Sequence, residues 1–213
     1  MKAIKVVYLL VLLSLTTVTF PQNVFEGKVV FNVEKKGNIQ AMDYYAKNEK
    51  YRMEIPDKGG IILFDKKKLK MYVLMEDQKM YLESDLFPLS AAGGGGSISK
   101  TGEKKNILGY DCEKFVFEQK DMKGETWMTK ELGAFMFFME EQKEMPNWQS
   151  EIVDAGYFPL QVTQHDERRN VTSVYDVKEV TPMKLSDDLF EVPQSYNKLD
   201  VMNMDNLKNL FGK

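Results

Sequence analysis

Between residues 25 and 83 apolar and polar side chains alternate with a period of two, which is the pattern of half-buried β-strands. In the segment 25–34, Phe25, Val29, Phe31 and Val33 share one face, while Glu26, Lys28, Asn32 and Glu34 share the other. The turn Lys35-Lys36-Gly37-Asn38 and the segment 39–47 complete a hairpin. Tyr51, Met53 and Ile55 then alternate with Arg52 and Glu54, until Pro56-Asp57-Lys58-Gly59-Gly60 interrupts the ladder. Strands at 61–64, 69–75 and 79–83, joined by tight polar turns at 65–68 and 76–78, extend the meander.

After Pro88 the run Ser90-Ala91-Ala92-Gly93-Gly94-Gly95-Gly96-Ser97 has almost no side chain to bury, and it reads as a loop within the sheet. Strand pattern resumes at 100–107, 112–119 and 126–130, and again at 159–166 and 170–180, the last two joined through Glu167-Arg168-Arg169. The period changes at 132–145. There Leu132, Phe135, Met136 and Met139 fall at i, i+3, i+4 and i+7, which predicts a helix whose apolar face Phe137 and Phe138 widen. A second short helix is predicted at 205–211, with Leu207, Leu210 and Phe211 on its buried edge. Together these elements predict a mainly β (α+β) fold: a curved antiparallel sheet or half-barrel, with the helix 132–145 covering its concave face.

Residues 1–22 follow another logic. Lys2 and Lys5 precede the apolar run 6–13, and small and polar residues follow, which is the order of a secretory signal peptide. Cleavage is expected between residues 18 and 23, leaving 23–213 as a single β-rich domain of about 190 residues, periplasmic or secreted. The apolar run falls short of the roughly 20 residues that span a bilayer, so a retained anchor is the minor reading and no stable membrane insertion is expected. No cysteine follows the run, so a lipid-modified N-terminus is not supported. Removing Lys2 and Lys5 takes the formal net charge from −3 to −5, which argues against nucleic acid or anionic membranes as main partners.

Cys112 is the single cysteine, so the fold relies on its apolar core, and the thiol is expected to be buried beside Phe115 and Phe117; pairing with another chain is the sharper alternative. His165 is the single histidine and sits on an alternating strand without metal-ligand spacing. The glycine run lacks the Gly-Lys-hydroxyl ending of a phosphate loop. Asp187-Asp188 and Glu140-Glu141 read as solvated surface or, at Asp187, a helix start, and not as opposed carboxylates. Asn170-Val171-Thr172 matches a glycosylation acceptor, a pattern with a high chance rate. No catalytic residue, metal or cofactor is therefore expected. Methionine stands out instead, with 14 in the chain beside 13 phenylalanines and 10 tyrosines. Flexible, polarizable methionine suits both ordinary core packing and surfaces that adapt to apolar partners, whereas copper would need methionine clusters with histidine.

Four segments carry a resemblance. Phe25-Glu26-Gly27-Lys28-Val29, Ile107-Leu108-Gly109-Tyr110-Asp111-Cys112-Glu113-Lys114-Phe115, Trp127-Met128-Thr129-Lys130-Glu131-Leu132 and Leu189-Phe190-Glu191-Val192-Pro193-Gln194-Ser195-Tyr196 together resemble a bacterial family of secreted proteins, a domain of unknown function. More loosely, the meander, the mid-chain helix and the export signal resemble periplasmic lipoprotein carriers of the Lol type. That resemblance implies a half-barrel whose concave apolar face, covered by helices, takes acyl chains. The function expected is noncatalytic binding of an apolar or acylated ligand, a lipid or lipoprotein, between sheet and helix. Phe31, Met53, Met71 and Val73 on the sheet and Phe135, Phe138 and Met139 on the helix are the candidate ligand contacts. The alternative is a structural or protein-interaction module of the cell envelope whose core is filled; an enzyme ranks third.

Overall fold

Alternation places one set of side chains on each strand against a common core, and the chain repeats this strand after strand. The computed structural model describes residues 25–55, 60–85, 96–135, 152 and 154–199. Within them run β1 (Gly27–Lys35), β2 (Asn38–Lys47), β3 (Lys50–Ile55), β4 (Gly60–Asp65), β5 (Lys70–Met75), β6 (Met80–Asp85), β7 (Ser97–Ile107), β8 (Tyr110–Gln119), β9 (Met122–Thr129), β10 (Phe158–Asp166), β11 (Val171–Pro182) and the short β12 (Asn197–Lys198). All belong to one sheet in the order β12-β6-β5-β4-β3-β2-β1-β11-β10-β9-β8-β7. Two meanders, β1 to β6 and β7 to β11, are fused where β1 pairs antiparallel with β11. Only β12 runs parallel to its neighbour, β6. The expected signal peptide, the glycine run up to Gly95 and the short helix at 205–211 lie outside the described residues.

Short turns set the register. Lys36-Gly37, Asn48-Glu49 and Leu108-Gly109 each place both turn residues at positive φ, the geometry that matches the right-handed twist of paired strands. The four-residue connections after β4, β5 and β10 end likewise on a positive-φ residue, Leu69, Lys79 and Asn170.

The sheet is strongly curved. β2 and β10 are three strands apart, about 14 Å along a flat sheet at the usual strand spacing. Yet the rings of Tyr44 on β2 and Phe158 on β10 meet edge to face, with centroids 5.8 Å apart. Register shifts at Val30/Phe31 in β1 and at Pro159/Gln161 in β10 lie in this region, and bulges bend the strands that carry them. The central cluster fills the bend with Val29, Phe31, Tyr44, Met53, Phe158, Leu160 and Val177.

The expected helix at 132–145 is corrected over its first turn: Leu132 closes a turn, and residues 133–135 are in neither helix nor strand. Gly133 stands at φ +74, which no helix residue adopts, and Thr129 Oγ1 accepts the Glu131 N–H at 3.2 Å to shape the turn before it. The i, i+3 spacing of Leu132 and Phe135 serves an irregular segment whose Leu132 is buried and whose Phe135 packs into the aromatic core. Residues 136–145 lie outside the described residues. Among the described residues, helix is confined to Ile152, Asp154 and the 3-10 turn Asp187–Phe190, so no covering helix is seen there.

That 3-10 turn starts a strap over the outer face of the first meander. Ser186 caps it by accepting the Asp188 N–H, Glu26 accepts the Leu185 N–H at 2.7 Å, and Arg52 donates to the Leu189 carbonyl at 3.1 Å. Val192 and Tyr196 then pack on Ile61, Leu63 and Leu74. β12 finishes the strap as Asn197 N–H and Leu199 N–H reach the carbonyls of Lys79 and Tyr81.

Gly124 on β9 and Gly27 on β1 are the glycines of the described sheet with the least room for a side chain. A Cβ on Gly124 would lie 2.3 Å from the Thr163 carbonyl oxygen and 2.6 Å from the Phe117 ring. The carbonyl belongs to the β9–β10 ladder and cannot retreat cheaply. Gly124→Ala is expected to lower the unfolding free energy by about 1–3 kcal/mol, measured as a reduced urea midpoint at an unchanged slope.

Candidate functional site

Register alone assembles the apolar surface on the inside of the first meander. Val29, Tyr44, Met53, Ile62, Val73 and Leu82 are cross-strand partners in succession from β1 to β6. Ala46, Tyr51, Phe64 and Met71 form a second row beside them. Burial falls along the first row. Val29, Tyr44 and Met53 are sealed at 0–1% exposure, while Ile62, Val73 and Leu82 are only half-buried.

Phe135 explains the sealed end. Its ring lies 5.0 Å from Tyr44, 4.8 Å from Phe158, 5.7 Å from Tyr175 and 6.2 Å from Phe31, filling the middle of the bend. Of the expected ligand contacts, the structure therefore brings Phe31, Met53 and Phe135 together as packed core. Met71 and Val73 lie further out, half-buried, and Phe138 and Met139 lie outside the described residues. Sequence reading did not single out Ile62 and Leu82, although each stands two residues from a residue of like character on its strand.

One polar group is stranded in this core. The Tyr175 hydroxyl is buried with no hydrogen-bond partner, and burial pushes its pKa well above 10. A buried unsatisfied hydroxyl costs on the order of 1–3 kcal/mol, so Tyr175→Phe is expected to raise the unfolding free energy of the free protein by about 1 kcal/mol in urea titrations.

Other candidates have plain structural roles. His165 Nδ1 lies 3.2 Å from Thr172 Oγ1 across the β10–β11 pair. Asp187 pairs with Lys47 at 2.9 Å as part of the strap. Among the described residues no group of three or more His, Cys, Asp or Glu side chains is placed to hold a metal ion.

Cys112 is free and buried, but not beside Phe115 and Phe117. Strand alternation puts it opposite Phe115: Cys112 joins the central cluster, whereas Phe115 packs with Met128 and Tyr157. Burial raises its pKa to about 11, with nearby Lys105 opposing the shift. The thiol is thus protonated and shielded at neutral pH. Labelling by a thiol reagent at pH 8 is expected to be at least about a hundredfold slower in native than in urea-unfolded protein; equal rates would place Cys112 at the surface.

With the geometry established, comparison with known proteins places the chain. A family model described as Domain of unknown function (DUF4412) matches residues 25–196. The chain belongs to this family. A search of the curated proteins found no match. Among solved structures, PNGF-II shares the fold at TM-score 0.58 and 15% identity over 86% of this chain, and the chain spans 33% of PNGF-II. An uncharacterized conserved protein from Thermus thermophilus aligns at TM-score 0.51 and 12% identity, covering 84% of this chain and 91% of that one. The LolA superfamily protein NE2245 from Nitrosomonas europaea aligns at TM-score 0.37 and 13% identity over 81% of this chain and 91% of that one. For the DUF4412 chain these identities speak to fold.

Proposed function

We propose that this DUF4412 chain is a noncatalytic binding protein of the cell envelope or exterior that holds an apolar or acylated ligand on the inner face of β4 to β6. The observation that carries this reading is the apolar row running past its plug: Ile62, Val73 and Leu82 continue the line of Val29, Tyr44 and Met53 but keep part of their surface open. Water contact at three aligned aliphatic side chains forfeits burial worth roughly 25 cal/mol per Å2, which an acyl chain laid across the strands would recover. Met71, flexible and polarizable, borders the same strip and can adapt to chains of different shape. Location outside the cytoplasm rests on the signal-peptide pattern of residues 1–22.

A filled interaction module is the second reading. It is favoured by the sealing of Phe31 and Met53 under Phe135 at the centre of the bend. The two readings part at the open end of the row. A fluorescent fatty-acid probe is expected to bind the wild-type mature protein, and Val73→Asp and Leu82→Asp are each expected to weaken binding by about tenfold or more. Both variants should retain the far-UV spectrum and cooperative unfolding, because a half-exposed carboxylate still reaches water. Met53→Asp is expected to unfold the protein, since it buries a charge without a partner. Absence of probe binding by the wild type would remove the carrier reading and leave the interaction module.

A further inference from the structure

A second site stands apart from the apolar row, at the β7–β9 end of the sheet. A cleft of about 680 Å3 opens there, lined by Lys100, Lys104 and Lys130 with Tyr157 and Glu113, and by Lys105 from the other face of β7. Its volume lies within the range of small-molecule sites.

The polar groups of the cleft form an ordered base. Tyr157 donates its hydroxyl proton to Glu113 Oε2 at 2.8 Å, and Lys100 Nζ donates both to that carboxylate and to the Tyr157 oxygen, each at 2.7 Å. The Tyr157 ring is buried and carries two ammonium groups, Lys100 at 5.3 Å and Lys130 at 4.8 Å from its centroid. Lys105 lies 4.1 Å over the Trp127 ring and donates to the neutral Gln161 side chain at 2.8 Å.

Charge in the cleft is unevenly matched. Glu113 is held by Lys100 and Tyr157, with Lys104 adding only a weaker, longer-range attraction. The two other carboxylates accept from neutral donors and form no ion pair with these lysines: Glu131 accepts the Asp111 N–H at 3.0 Å, and Asp111 accepts from Asn106 at 3.2 Å. Neither Lys104 nor Lys130 has a carboxylate of its own among the described residues. The lining carries four lysines against three carboxylates, a small positive excess in a chain whose overall charge is negative. Unpaired like charges set close together repel each other, and an anion between them relieves that repulsion.

We propose that this cleft binds a phosphate group, held by Lys104 and Lys130 above the Lys100–Tyr157–Glu113 base. Every cation lining the cleft is a lysine, a compact charge with three freely turning donors. Such a set fits a tetrahedral, multiply charged anion. Arginine, whose fixed fork pairs bidentately with carboxylate and phosphate alike, is absent from the lining, so recognition there rests on point charges, which favour the higher charge of a phosphate dianion. The phosphate can belong to a soluble ester or to a lipid headgroup, and the chemistry at the lysines is the same.

The test uses the mature chain in two arms: calorimetric titration with inorganic phosphate, and flotation with phosphatidylcholine vesicles with or without phosphatidic acid. Binding in either arm is expected to fall by about tenfold or more in the double variant Lys104→Gln/Lys130→Gln. Lys178→Gln, remote on β11, should bind as the wild type does and controls for bulk charge. Both cleft lysines are exposed, so the double variant should fold, with its far-UV spectrum as the check. Binding of free phosphate with no added affinity for phosphatidic acid supports a soluble ester, and phosphatidic acid-dependent flotation that free phosphate competes away supports a headgroup. No binding in either arm, or equal loss in the Lys178 control, overturns the proposal. These outcomes are independent of the fatty-acid probe, whose contacts lie on β5 and β6.

Discussion

The structure depends on aromatic contact across the inside of a bent sheet. Neighbouring strands hydrogen-bond whether a sheet is flat or curled, so the ladder alone does not hold β2 and β10 face to face. Their rings meet because the bulges in β1 and β10 bend the strands and because Phe135, delivered from outside the sheet, fills the space that the bend creates. Edge-to-face rings are worth about 0.5–1.5 kcal/mol each beyond their buried area. The stranded Tyr175 hydroxyl shows that this cluster is strong enough to carry an unsatisfied polar group at its centre. Curling also divides the labour between faces. Where β4 and β5 are apolar on both sides, the strap from Leu185 to Leu199 covers the outside, while the inside stays partly open.

This arrangement makes burial of the first row decline outward from β1, and the decline divides one continuous apolar row into a sealed part and a half-buried part. Close to β1 the row is core, and a polar substitution there should cost stability. Toward β6 the same pattern meets water, and substitution is tolerated by the fold. Sequence pattern cannot distinguish the two parts, because Met53 and Val73 occupy equivalent places in the alternation. The difference is one of tertiary position: the ring contacts of Phe135 with Phe31 and Tyr44 lie at the β1–β2 end of the surface.

Local pattern was a good guide to the strands because the turns obey local rules. Alternation located β1 to β8, β10 and β11 to within a few residues, and Lys36-Gly37 supplied a recognisable turn. Legibility failed where tertiary contact outweighed pattern. The start of β9 was missed because Gly124 interrupts the alternation, and its reason for being glycine is the Thr163 carbonyl on another strand. The spacing of Leu132 and Phe135 suits a helix as well as an irregular crossing, and Gly133 at positive φ excludes the helix. β12 has two residues, too few for any periodicity, and the pairing of β1 with β11 joins ends of the chain that share no local signal. The lysine cleft was missed for the same reason: Lys100 and Tyr157 are 57 residues apart and meet only through the β7–β9 pairing and the segment before β10.

The lysines of β7 also have a role that requires no ligand. β7 is the last strand of the described sheet, so its outer backbone groups invite pairing with another chain. Lysines and the register shift between Lys100 and Lys104 discourage that pairing. Edge protection asks only that charge project outward along the strand, however, and it gives no reason to bury Tyr157 or to tie its hydroxyl to Glu113 and Lys100. Nor does it account for Lys130, which comes from the end of β9 and not from the edge. The convergence of two segments on one buried phenol is the feature that edge protection leaves over, and it is this feature that makes the cleft a site.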